Sequence, residues 1–165
     1  MPPSDSIQIL PATKNDLPQI LAFIRGLAEY EKLAHQCIAT EENLRKTLFG
    51  PRPFAEVLMA RLNQTPVGFA LFFYNYSTFL AAPGIYLEDL FVLPEHRGKG
   101  IGKALILGVA KTAHQRGCGR LDWSVLDWNE SAIGFYRGLG ATVMPDWRIC
   151  RMTAPEIAAL VTAGI

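Results

Sequence analysis

The sequence predicts an α/β (α+β) chain: one mixed sheet of about six or seven strands in a single layer, flanked by helices. Three observations carry this. Apolar, strand-like runs at residues 54–62, 67–76 and 85–93 follow one another without a helical segment between them. Residues 17–28 and 100–116 instead repeat their apolar side chains at helical intervals. After Gly117 the pattern alternates: a strand-like run at 120–126, a helix at 129–139 closed by Gly140, and a strand-like run at 148–152.

The elements can be justified in order. Residues 7–10 form a short first strand that stops at Pro11. Thr13, with Asp16 three residues on, is a cap with an acidic first turn, and Leu17, Ile20, Leu21, Ile24, Leu27 and Ala28 then share one helix face. Thr40, Glu41 and Glu42 open a second helix that ends near Gly50 and Pro51. The turn-prone Asn63, Gln64, Thr65 and Pro66 join the strands at 54–62 and 67–76. Residues 85–93 hold Glu88 and Asp89 inside an apolar run, and strict alternation would send these two carboxylates to opposite faces. Pro155 opens a short terminal helix to residue 161. The sequence shows no internal repeat or low-complexity tract, so residues 6–153 read as one domain and 154–165 as a helical tail.

Bulk composition excludes several classes. At 165 residues, with 50% hydrophobic and 19% charged side chains, the chain can bury a core without disulfides or a structural metal. A net charge of +1 argues against a broad nucleic-acid or polybasic membrane surface. Cys37, Cys118 and Cys150 are odd in number and widely spaced, which predicts reduced, mostly buried thiols in a cytoplasmic protein and no zinc site. His35, His96 and His114 are isolated, so no metal is expected. The start Met1, Pro2, Pro3, Ser4, Asp5 has no basic and apolar leader pattern, and no apolar run approaches the ~20 residues of a membrane span.

The stretch His96-Arg97-Gly98-Lys99-Gly100-Ile101-Gly102-Lys103 lies between a strand and the best-defined helix. One glycine would satisfy a tight turn. Three at alternate positions, beside three cations, expose helix-start amides to a close anion such as a phosphate. A Walker A loop is excluded because Ala104 follows Lys103 where a hydroxyl is needed, and the dinucleotide fingerprint fails because Lys103 replaces its third glycine.

The remaining pattern, Arg97-x-x-Gly100-x-Gly102 after a strand, resembles the coenzyme A pyrophosphate loop of the GNAT superfamily of N-acetyltransferases. Leu126-Asp127-Trp128-Asn129-Glu130, Phe135-Tyr136 and Leu139-Gly140-Ala141 resemble the second signature of that superfamily. Leu27 to Leu33, Tyr86-Leu87-Glu88-Asp89-Leu90 and Val125 to Asn129 are similar to the diamine (spermidine/spermine) acetyltransferase subfamily, particularly its thialysine-acetylating branch. The resemblance runs from Ile9 to about Met152 and departs at residues 143–147.

The resemblance implies a GNAT fold and acetyl-CoA as co-substrate. It implies cofactor contacts from Leu90, Phe91 and Val92, from Arg97, Gly98, Lys99, Gly100, Ile101, Gly102 and Lys103, and from Asn129 and Tyr136. Tyr136 would protonate the departing thiolate, and Glu88 would hold the substrate amine and take its proton. Tyr30, Glu31, Glu88, Asp89, Asp122, Trp123 and Ser124 would line the amine site. Each has a plainer reading beside it: Glu88 as a solvent-facing acid, Tyr136 as a packed aromatic, Asn129 as an N-cap, Tyr30 as a helix-end ring. The implied reaction is direct acetyl transfer in a ternary complex to a small cationic amine, a polyamine or a lysine-like amino acid such as thialysine. The rivals are a protein or peptide N-acetyltransferase and a non-catalytic acyl-CoA sensor. By analogy with the family a homodimer is expected, with neither nucleic-acid nor membrane partners.

Overall fold

The computed structural model describes residues 6–164. The leaderless start read at residues 1–5, and the last residue of the tail, lie outside the described residues. Five strands form one sheet in the order β1 (Ile7–Pro11), β2 (Glu56–Leu62), β3 (Thr65–Ser77), β4 (Ala82–Val92), β5 (Leu121–Asp122). The first four are antiparallel neighbours, and β5 runs parallel to β4. The expected mixed sheet is present with five strands rather than six or seven.

The differences have local causes. The connection between β2 and β3 needs only Asn63 and Gln64, whose φ angles of 50° and 70° make a two-residue hairpin of the hand that matches strand twist. Thr65 and Pro66 therefore belong to β3 and not to the turn. Of residues 120–126 only Leu121 and Asp122 pair, and 148–152 form no strand. A run with strand propensity becomes a strand only where a neighbour supplies hydrogen bonds.

The chain divides into two compact units, Met1–Ser124 and Val125–Ile165. In the first, α1 (Leu17–Tyr30), α2 (Glu41–Phe49) and α3 (Ile101–Gln115) cover the sheet. Asp16 accepts from the backbone and hydroxyl of Thr13, completing the expected capping box, and pairs with Arg61 on β2. Ile20 and Phe23 of α1 and Leu48 of α2 pack on Met59, Phe69, Leu71 and Phe91. Phe23 stacks on Phe69 with ring centres 5.7 Å apart. Gly26 carries α1 directly onto β4, since a Cβ there would lie 2.8 Å from the Phe91 ring. On the other face Gly108 of α3 lies against Ile9 and Leu58. The sheet is thus sandwiched, with alternate residues serving each side.

Arg116, just beyond α3, ties to Glu56 of β2 through two hydrogen bonds of 2.6 and 2.8 Å. That bond holds the Glu56 carboxyl below its ordinary range and the guanidinium above its own. A group whose native value is lowered adds stability above its unfolded value and loses it as the pH falls. Both side chains are part-exposed, so Glu56→Gln should cost ~1 kcal/mol and ~2–4 °C of melting temperature near neutrality. The deficit should shrink progressively as the pH falls below the ordinary glutamate value of 4.5, which thermal melts across pH would show.

The second unit holds α4 (Glu130–Gly138) and α5 (Ala154–Ala163). Asn129 caps α4 by accepting from the Ala132 amide at 3.2 Å. Cys150 is exposed, unlike the buried thiol expected from composition; Cys37 and Cys118 are half-buried.

Candidate active site

The site in the first unit is built on β4. Its register against β3 pairs Phe72 with Leu87 and Leu71 with Asp89, so Glu88 is an extra residue with no partner on β3. This is a β-bulge, which resets the alternation of the strand. Leu71 belongs to the cluster under α1, and Asp89, paired opposite Leu71, shares that face. Glu88 now shares it too. The opposite-face expectation is therefore corrected: strict alternation fails at the bulge.

Glu31, immediately after α1, joins them from above the sheet. Burial, then the charge of Glu88, raises the Glu31 carboxyl above its ordinary value. Burial, followed by the charges of Glu88 and Glu31, pushes Asp89 up to about 7. None of the three forms a salt bridge among the described residues. Three uncompensated carboxylates in one place attract a cation, and an ammonium group answers that charge. Among the described residues no group is arranged to hold a metal ion.

The other amine-site expectations fall near β5. Tyr86 lies beside Asp122 and its hydroxyl meets Ser124 Oγ at 2.7 Å. The Asp122 carboxylate is already engaged by Arg120 Nε at 2.7 Å and by Asn75 Nδ2 at 3.2 Å. Its charge is thereby neutralised, which separates it from the uncompensated trio. Trp123 is half-buried.

The pairing of β4 with β5 covers only Ile85 and Tyr86. Leu90, Phe91 and Val92 follow on β4, and after a turn at Pro94–His96 comes the glycine loop. Gly98 and Gly100 have φ of 74° and 80°, a region open to glycine, and nothing lies within 4 Å of where a Cβ would project. Gly100 is the N-cap of α3 and no side chain caps that helix start, leaving the amides of Ile101, Gly102 and Lys103 to an outside acceptor. Lys99 and Lys103 are exposed beside them. The buried His96 Nδ1 has no hydrogen-bond partner. This open cradle of amides and cations fits a pyrophosphate. Arg97 is used differently from a simple phosphate ligand: its Nε donates to the Val92 carbonyl at 2.9 Å, and its guanidinium lies over Tyr30 and Phe91. Charge spacing along the chain carries no sign of this stack.

In the second unit Tyr136 lies on α4, half-buried, with its ring 5.4 Å from that of Phe135, seven residues beyond the capping Asn129.

The comparisons with known proteins agree with this architecture. Residues 20–141 match the acetyltransferase (GNAT) family. The chain is 43% identical to thialysine N-epsilon-acetyltransferase of Bos taurus, over 82% of this chain and 84% of that one. It is 36% identical to L-ornithine N5-acetyltransferase NATA1 of Arabidopsis thaliana, over 90% of this chain and 85% of the relative. A solved integron cassette protein from the mobile metagenome of V. cholerae superposes with a TM-score of 0.79 at 25% identity, covering 96% of this chain and 99% of its own. No helix among the described residues is long and apolar enough to cross a membrane. The chain belongs to the acetyltransferase (GNAT) family and is an N-acetyltransferase.

Proposed function

We propose that the protein transfers an acetyl group from acetyl-CoA directly to a terminal primary amine of a small cationic acceptor, a polyamine or a lysine- or ornithine-like amino acid such as thialysine. The observation that carries this reading is the trio of Glu88 and Asp89 on β4 with Glu31 at the end of α1, gathered without a salt-bridge partner among the described residues beside the strand that leads into the open glycine loop. Relatives named for thialysine and ornithine acetylation support an amino-acid acceptor.

Acetyl-CoA supplies the activated thioester. The loop amides at 101–103 with Lys99 and Lys103 hold its phosphates, and the Leu90–Val92 backbone receives the pantetheine arm and thioester carbonyl. Glu88 accepts the ammonium proton, leaving a neutral nitrogen to form the new N–C bond as the C–S bond breaks, and the nitrogen then releases its second proton to solvent as the amide forms. Tyr136 gives its phenolic proton to the sulfur and recovers one from solvent.

The test is an acceptor panel of spermidine, spermine, putrescine, lysine, ornithine, thialysine and a peptide, read by thiol release. Activity confined to small amines supports the reading; a preference for the peptide, or no release from any, overturns it. In the same assay Tyr136→Phe should lower turnover ~10²-fold or more while acetyl-CoA affinity is about unchanged. Unchanged turnover would remove the acid role.

A further inference from the structure

Arg97 stands where the donor loop and the acid trio meet. Its Nε is bonded to the Val92 carbonyl, which folds the side chain back along the end of β4. The guanidinium carbon then sits 4.7 Å from the centre of the Tyr30 ring and 5.5 Å from that of Phe91. Tyr30 is the last residue of α1, and Glu31 follows it, its amide bonded to the Leu27 carbonyl. Phe91 is two residues beyond Asp89 on the same face, and Gly26 seats α1 on its ring. One cation therefore clamps the end of the helix carrying Glu31 onto the strand carrying Glu88 and Asp89.

We propose that Arg97 is a positioning residue for the amine site: by stacking on Tyr30 it holds Glu31 against the bulge at Glu88, and so links the donor loop to acceptor binding. This rests on the amine-acetylation reading for its kinetic consequence, while the geometric claim stands independently of it. A cation over an aromatic face is worth enough to change an equilibrium by about three- to thirty-fold. The two terminal nitrogens of Arg97 are not engaged by any carboxylate among the described residues, so the same side chain can still meet an anion in the loop.

The experiment uses the full chain. Arg97→Leu should raise the amine KM about three- to thirty-fold, measured with acetyl-CoA saturating so that any loss of donor binding in the loop does not enter the ratio. Arg97→Lys, which keeps the cation, should recover most of the loss, and so should Tyr30→Phe relative to Tyr30→Leu. The Arg97→Leu, Tyr30→Leu double variant should lose less than the sum of the two single losses, because the Arg97–Tyr30 stack is common to both. An amine KM that ignores Arg97, or additive losses, overturns the proposal. Carbon-13 NMR titration of Glu31 supplies a readout that needs no turnover. Loss of positioning should move Glu31 down towards its ordinary value as it regains water and parts from Glu88, whereas mere loss of a nearby positive charge would move it up. An upward or absent shift overturns the positioning role. A wild type that acetylates no amine would remove the acetylation reading alone.

Discussion

At about pH 8 an Asp89→Asn variant should melt above the wild type, and the gap should close as the pH falls towards about 4. Asp89 holds its proton in the folded protein up to about 7, against an ordinary value of 3.8, because burial first, and then Glu88 and Glu31, disfavour its charge. Between those values the native state binds a proton that the unfolded chain has released, so wild-type stability declines as the pH rises through this interval and levels off above it. The interval corresponds to as much as ~4 kcal/mol, or on the order of 10 °C in a chain of this size. Asparagine keeps the shape and removes the charge. Melts of both proteins over this range check the sign; parallel curves would show that the carboxyl is not so constrained. The same variant should bind a cationic acceptor less well, placing stability and function in opposition at one atom group.

Glu88→Gln should lower kcat/KM for the preferred amine by ~10²–10⁴-fold while acetyl-CoA binding stays about constant and the melting temperature does not fall. The residue has no partner on β3 and its side chain is exposed, so the exchange leaves the ladder and the core intact. The loss therefore reports on chemistry and not on folding. Kinetics alongside calorimetric titration of acetyl-CoA would separate the two, and a loss of less than about ten-fold would assign the proton to another acceptor.

Much of this was legible from local pattern. Helical periodicity located α1 and α3, and the glycines at 98 and 100 marked the loop because left-handed backbone is needed there. Glu31, Glu88 and Asp89 stood out as acids in a nearly neutral chain. The bulge did not, because it is a property of the register between β3 and β4 and not of either strand alone. Nor did the Arg97 stack, which depends on Tyr30, sixty-seven positions earlier in the chain, arriving over the end of β4 (97 − 30 = 67). The run at 148–152 differs for a related reason: Ile149 has a strand-forming side chain, yet is 68% exposed with no neighbouring strand among the described residues to pair with.

The unpaired residue in β4 has a consequence beyond aiming two carboxylates. An inserted residue bends its strand and tightens its twist. Pairing with β5 ends at Tyr86, two positions before the insertion. The inserted residue thus stands where negative charge collects and just beyond the point where the two parallel strands part. Deleting residue 88 would forfeit an acid and straighten the strand in the same event, whereas a substitution there changes the charge alone.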